Sequence, residues 1–317
     1  MKFYPLKLRP VYNERPWGGG LEQTFPGKGG QGIGESWELS LYPGNQSTVA
    51  NGSMAGQPLA QLVAEYPQQL LGDNWWPLQQ KFPLLIKLIG AREDLSVQVH
   101  PDDQFAAEHE QSLGKAEMWY IVSAKPGSRL IMGVKPGVDK AAFSAALERG
   151  ELESVLNQVP VHPGDAFYIP PGTVHAIGAG IVLAEVQQSS DVTYRVYDWN
   201  RTDSSGNPRE LHVDKALSVL DIESGPPQIL PAAPVTDGVY RLIATPWFSV
   251  EKLVVAEKLH FSREQNRFET LVVLDGLLNI AAGEIYLDLE PGDTVFIPAC
   301  VKDYRLRGRG VALKTYI

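Results

Sequence analysis

The 317-residue sequence reads as a mainly β protein of two related sandwich or barrel units with helical inserts, and three observations carry that reading. Its 24 prolines and 30 glycines punctuate the chain at short intervals. Between them lie FPLLIKLIG, EMWYIVSA, RLIMGV, DAFYIP, IVLAEVQQ and ETLVVLDG, rich in the β-branched and aromatic residues that favour strands. The third observation is a repeat. HPGDAFYIPPGTVHAI at 162–177 lines up with EPGDTVFIPACVKDYRL from 290 onward. Upstream of each, a glutamate opens an apolar strand: Glu117 in EMWYIVSA and Glu269 in ETLVVLDG.

Taken in order, the chain departs from strand character twice. Residues 56–80, containing QPLAQLVAEYPQQLLG, and residues 138–158, VDKAAFSAALERGELESVLNQ, carry apolar residues at helical spacing among good helix formers. Both are expected as helical inserts over a β core. The stretch 204–234 is polar, turns proline-rich toward its end and is expected to link the two units. The boundary falls near residue 230, giving a first unit at 1–230 and a reduced second unit at 231–317. A chain of 317 residues and 34.8 kDa suffices for two cores.

Composition limits the partners. A formal net charge of -9 and a pI near 5.2 argue against nucleic acid or an anionic membrane as the main partner, yet allow an anionic small molecule in a locally cationic cleft. No segment approaches the roughly 18 apolar residues that span a bilayer. The opening MKFYPLKLRPVYNERPWGG lacks the apolar run of about 7 to 15 residues of a secretory signal. Cys300 is the only cysteine, which excludes an intramolecular disulfide and suits a reducing compartment. A soluble, cytoplasmic protein is expected.

Residues 164–175 read Gly-x5-Pro-x-Gly-x2-His, and they resemble the second metal motif of the cupin superfamily. Gly164 and Asp165 suit a tight turn, and Gly172 permits the bend that returns His175 toward a barrel mouth. The first cupin motif is divided here. Gln98 and His100 sit two apart on SVQVHP and share one strand face, and Glu117 follows after an insert. Two imidazoles, a carboxylate and a neutral amide oxygen suit one zinc ion per chain, or a similar divalent ion, with a net charge of about +1 left at the site. His109, His162, His212 and His260 fall outside the pattern and are expected to be ordinary side chains. In the repeat, Asp303 aligns with His175 and no His pair precedes Glu269, so the second unit is expected to lack metal ligands.

Three longer segments narrow the reading. FPLLIKLIGAREDLSVQVHPDD at 82–103, GKAEMWYIV at 114–122 and TYRVYDWNR at 193–201 resemble the type I phosphomannose isomerases, in particular the shorter bacterial branch. RPWGG at 15–19 and GESWELS at 34–40 add to the likeness. That resemblance implies a two-cupin, zinc-dependent enzyme interconverting mannose 6-phosphate and fructose 6-phosphate. It implies metal ligands at Gln98, His100, Glu117 and His175 and active-site roles for Lys87, Lys115 and Arg195. Arg195 would stabilise an enediolate, while Lys87 or Lys115 would meet the phosphate or help move protons. Asp198 is expected to orient a neighbour, and Trp17 either packs the entrance or fills the core. Two rival uses of such a barrel remain: a non-catalytic, metal-containing sugar-phosphate binder or regulator, and a redox cupin using iron or manganese. Lys115, Glu117 and Arg195 together argue against the first. The sequence assigns no oligomeric state.

Overall fold

The structure, a computed structural model, describes residues 2–73, 81–202, 206–223 and 225–317. Three antiparallel sheets form its frame. A six-stranded sheet runs in the order Ala166–Ile169, Glu117–Ala124, Ile181–Gln188, Leu84–Ala91, Ile33–Leu39 and Val11–Glu14. A five-stranded sheet faces it, ordered Tyr194–Tyr197, Val97–Val99, His175–Ile177, Arg129–Val134 and Leu156–Pro160. Together they make the first unit. The second is a ten-stranded sheet whose long strands are Glu269–Ala282 and Asp303–Tyr316.

Burial follows from strand alternation. The inner face of the six-stranded sheet supplies Ile89, Trp119, Ile121 and Leu183 to a core shared with Leu130, Met132 and Ile177 of the opposite sheet. Its outer face supplies Leu84, Ile86, Leu88, Met118, Ala184 and Val186 to a second core with Phe248, Val250, Phe268, Phe296 and Leu313 of the ten-stranded sheet. The sheet is therefore covered on both sides, and every residue of Leu84–Ala91 and Ile181–Gln188 is buried.

The chain does not divide its strands at residue 230. Leu6–Arg9 pairs with Thr294–Ile297, and Thr48–Val49 pairs with Leu6–Arg9, so the N-terminus completes the sheet that the C-terminal residues build. A buried polar bridge reinforces this junction. Lys28 Nζ lies 2.5 Å from Glu38 Oε1, and Thr294 Oγ1 donates to Glu38 Oε2 at 2.8 Å.

The helical inserts come out shorter than their periodicity suggests. The first gives Leu59–Glu65 and Pro67–Leu71, interrupted at Tyr66, because a proline cannot continue the preceding helix; its residues 74–80 lie outside the described residues. The second is helical only over Lys140–Glu148, capped by Asp139, whose side chain accepts the Ala142 N–H at 2.7 Å. Its end is the strand Leu156–Pro160. The stretch expected as a linker contains the helix Val213–Val219, which buries Ala216 against the first unit. A helix absent from the sequence reading, Asp103–Glu110, begins at Asp102, which accepts the Phe105 N–H at 2.8 Å.

Candidate metal centre

The cluster sits between the facing sheets of the first unit. His175 pairs in register with Gln98, and Gln98 with Arg195, so these three lie in one row across the five-stranded sheet. His100, two residues beyond Gln98, returns to the same face. The opposite sheet presents another row: Trp37, Lys87, Glu185, Trp119 and Phe167 are register partners from strand to strand. Glu117 stands one pleat away, opposite Gln187. The turn that delivers His175 needs Gly172, whose φ is +85° and whose added Cβ would come within 2.9 Å of the Val219 carbonyl oxygen.

Ligand atoms of His100, Glu117 and His175 lie within 4.8 Å of one another, and all three residues are buried. His100 Nδ1 is 2.9 Å from the Val192 carbonyl oxygen, and His175 Nδ1 is 2.9 Å from that of Thr173. Carbonyl oxygens only accept, so each imidazole donates from Nδ1 and keeps the Nε2 lone pair pointing inward. Those Nε2 atoms lie 3.4 and 3.6 Å from the Glu117 carboxylate. Burial, with Lys115 adding to it, pushes His100 down to about 3, and burial also lowers His175. Both rings are neutral at pH 7. Burial would raise Glu117, but the Lys115 ammonium outweighs it and holds the carboxyl well below its ordinary value.

Three sets of lone pairs thus converge in a dry site. Neither Glu117 oxygen accepts a hydrogen bond of good geometry, although Lys115 Nζ is 2.9 Å from Oε1 and 3.1 Å from His100 Nε2. Gln98 Nε2 lies 3.3 Å from His175 Nε2, and a half-turn of that amide would put Oε1 there instead. Acceptors this close repel one another unless positive charge stands beside them, and Lys115 supplies only part of it, since both Glu117 oxygens lack a hydrogen bond. The donor set of two imidazoles, a carboxylate and an amide oxygen fits a divalent ion.

Beside the cluster opens a cavity of about 370 Å³, whose lining includes Gln98, Lys115, Lys87, Glu185, Arg195 and Arg209. The sequence-read residues therefore meet at one place. Arg195 Nη1 donates to the Glu210 carbonyl at 2.8 Å, and its Nε is 3.3 Å from Ser96 Oγ. Trp17 also lines this cavity and is buried in the core of the first unit, so packing and lining are both its work. Asp198 pairs with Arg201 and Arg209. His109 and His162 are exposed, His260 pairs with Asp303 at 2.6 Å, and half-buried His212 lies outside the cluster. A larger cavity of about 800 Å³, bounded by Tyr42, Phe82, Tyr194 and Lys215, contains none of the cluster's donors.

Two buried carboxylates in the cavity escaped the sequence reading, and exposed Glu14 and Asp191 line it as well. Glu35 accepts from Arg15 at 2.8 Å and from Trp37 Nε1 at 2.9 Å; burial opposes its charge, but Lys87 and Arg15 prevail and hold it at about 2. Glu185 is 3% exposed, accepts from Trp119 Nε1 at 2.9 Å and faces Lys87 Nζ at 3.4 Å. Burial and Glu117 raise it to about 7 against the pull of Lys87. Lys87 is itself raised, because Glu35 and Glu185 overcome its burial. The available signal was the one that exposed Lys87: a single charge inside an apolar strand.

Comparison with known proteins shows the chain's relatives. Residues 6–120 match the family described as phosphomannose isomerase type I, catalytic domain, and residues 240–317 match the mannose-6-phosphate isomerase cupin domain. The chain is 36% identical to mannose-6-phosphate isomerase ManA of Bacillus subtilis (strain 168), covering 99% of each. It is 37% identical to the mannose-6-phosphate isomerase of Streptococcus mutans, covering 96% of this chain and 95% of that one. In fold it is similar to the crystal structure of the mannose 6-phosphate isomerase from Bacillus subtilis, with a TM-score of 0.91, 33% identity and 99% of each chain covered.

Proposed function

We infer the workings of this site from one premise: the chain belongs to the type I phosphomannose isomerase family. It is an isomerase that interconverts mannose 6-phosphate and fructose 6-phosphate. The reaction moves a proton between carbons 2 and 1 of the open-chain sugar through an enediolate. One zinc ion per chain is proposed, held by Gln98, His100, Glu117 and His175. Bound there, it would supply a Lewis acid that polarises the sugar's oxygens. The observation that carries this is the buried Glu117 carboxylate, which stands between two inward-facing Nε2 lone pairs with no well-formed hydrogen bond.

The remaining roles belong to the cavity. Arg195, in register with Gln98, would face the enediolate oxygens; a guanidinium stays charged and contributes electrostatically rather than by taking a proton. Lys115 shares acceptors with the proposed metal, so its flexible stem would turn the ammonium toward the substrate when those acceptors are engaged. Lys87 and Lys115 form the cationic wall for the phosphorylated sugar. Glu185, held near neutrality in a dry pocket, is the group best suited to accept and return the proton. A cytoplasmic location is proposed with this reading and agrees with the lone Cys300. Among the described residues, no helix is long and apolar enough to cross a membrane.

The test combines elemental analysis with a coupled assay of fructose 6-phosphate formation. Purified protein should carry about one zinc, lose activity on chelation and regain it on zinc addition, and His100→Ala and His175→Ala should lose metal and activity together. Full activity in metal-free protein, or metal retained in both variants, would overturn the ligand assignment.

A further inference from the structure

Outside the metal cluster, one hydrogen-bond node joins the second unit to the segment that carries Lys115 and Glu117. Asp103 opens the Asp103–Glu110 helix. Its Oδ1 accepts the Gly114 backbone N–H at 2.9 Å and Gln188 Nε2 at 2.8 Å, and its Oδ2 accepts Trp247 Nε1 at 2.8 Å. Gln188 passes the constraint on, since its Oε1 accepts the Ala116 N–H at 2.9 Å. The intervening Lys115 N–H donates to the Pro101 carbonyl at 3.0 Å. Every backbone N–H from Gly114 to Ala116 is therefore held either by the chain at the start of this helix or by Gln188.

The segment is also held by contact. A Cβ at position 114 would meet the Asp102 carbonyl carbon and the Asp103 nitrogen at 2.5 Å each, so only glycine lets the segment lie this close. Trp247 comes from the second unit, on the turn between Val239–Ala244 and Ser249–Val255. That turn is braced by Thr245 Oγ1, which accepts the Trp247 and Phe248 N–H groups at 3.2 and 3.0 Å. The indole is thus presented from a fixed support.

We propose that Asp103 is a positioning residue for the isomerase site, and that Trp247 is the second unit's contribution to it, the two together fixing where Lys115 and Glu117 stand. The proposal rests on the functional reading given above. Its physical logic is a contrast of scales. Asp103 lies at the surface, where losing one hydrogen bond costs the fold little. A displacement of about 1 Å in a reacting group can lower the rate about 10²-fold. The node therefore governs rate far more than folding. It also gives the C-terminal unit work in a reaction whose proposed ligands all lie in the first.

The experiment uses full-length, zinc-loaded protein and three variants. Trp247→Phe keeps an aromatic ring at this place but removes the indole N–H together with the rest of the five-membered ring. Asp103→Asn can keep its acceptor toward Gly114 and Gln188 but turns an amide N–H against the indole N–H. The third combines both. The measurements are kcat and KM for mannose 6-phosphate, Tm, and amide exchange in a peptide covering residues 112–118. Trp247→Phe should lower kcat about 3- to 10-fold with KM changed less than about twofold, speed exchange in that peptide, and leave Tm within about 2 °C of wild type. The double variant should be no slower than Asp103→Asn alone, as expected for two groups acting through one contact. Wild-type kcat and exchange in Trp247→Phe, or additive losses that track Tm, would overturn the proposal. A wild-type protein without isomerase activity would instead refute the functional reading, while exchange in the 112–118 peptide would still report on the node.

Discussion

Replacing Lys87 by methionine should move the acid limb of the pH–rate profile upward by at least about one unit. The Lys87 ammonium is 3% exposed, 3.4 Å from Glu185 Oε2 and 5.0 Å over the Trp37 ring, with Glu35 beside it. Glu185 is raised to about 7 by burial first and by Glu117 second, and Lys87 is the largest influence drawing it down. Two unit charges about 4 Å apart attract by about 4 kcal/mol at an effective dielectric near 20, equivalent to about 3 pH units. Water entering the space left by the ammonium recovers part of this, so one unit is the expected minimum. If ionised Glu185 accepts the substrate proton, kcat/KM falls as pH drops through its pKa, and the limb rises with that pKa.

Stability cannot mimic the effect. Lys87 is raised on folding, so its contribution is fully present below its unfolded value near 10.4 and is lost only as pH rises through the folded value. Between pH 5 and 9, about the range of the assay, the group that titrates is Glu185, and because it is raised on folding its contribution is largest at low pH and declines as pH rises through about 7, opposite in sense to an acid limb. The assay is the coupled isomerase reaction on metal-replete wild type and Lys87→Met, with Glu185→Gln as the control expected to abolish the limb. The difference between the two limbs is the reading. Superimposed profiles would show that Glu185 is not the titrating group.

Arg195→Ala should keep the fold and its zinc and lose about 10² to 10³ in kcat; unchanged kcat with raised KM would assign the guanidinium to binding, and wild-type values for both would remove it from the reaction. Glu35→Gln should lose a pH-dependent part of its stability. Glu35 is held at about 2 against 4.5, so its charge stabilises the fold fully above pH 4.5 and progressively less as pH falls toward 2. In denaturation series the stability gap between wild type and Glu35→Gln should narrow by about 3 kcal/mol across that window, and a gap independent of pH would refute the account.

The candidate cluster was legible because spacing and alternation fix which side chains share a face. Gln98 and His100 are two apart, and the Gly164 to His175 pattern encodes a turn that Gly172 makes by its positive φ. Glu185 was missed for a tertiary reason. In IVLAEVQQ a lone glutamate can point to solvent, and only the ten-stranded sheet packed over the far side of this strand makes both faces dry. Lys87 stood out as the single charge in the apolar run FPLLIKLIG, and the family likeness then gave it a role that the same signal in IVLAEVQQ did not give Glu185. The short helix Asp103–Glu110 carried just one local sign, its Asp102 cap. The pairing of Leu6–Arg9 with Thr294–Ile297 joins residues nearly 290 positions apart, which no local pattern records.

The repeat offers a comparison internal to the chain. Glu117 and Glu269 each open a strand at the same place in the register: Glu117 pairs with Ile169 and Gln187, and Glu269 with Ile297 and Tyr316. Both carboxylates are buried, and a buried carboxylate requires compensation. The second unit provides it from within. Tyr304 donates to Glu269 Oε2 at 2.7 Å, and the Arg263 guanidinium lies 3.7 Å from the same atom while donating to the Pro298 and Val301 carbonyls. Asp303, which the alignment sets against His175, faces solvent and pairs with His260, so the inward place falls to Tyr304. In the first unit the neighbours of the matching glutamate are two imidazoles whose lone pairs point at it. Imidazoles in that tautomer cannot neutralise a carboxylate, and Lys115, which reaches Glu117 and His100, is the one cation beside the cluster among the described residues. The same scaffold position is closed by a guanidinium in one unit and left with converging acceptors in the other, which would confine the proposed metal to the first unit, beside the cavity that Arg195 and Glu185 line.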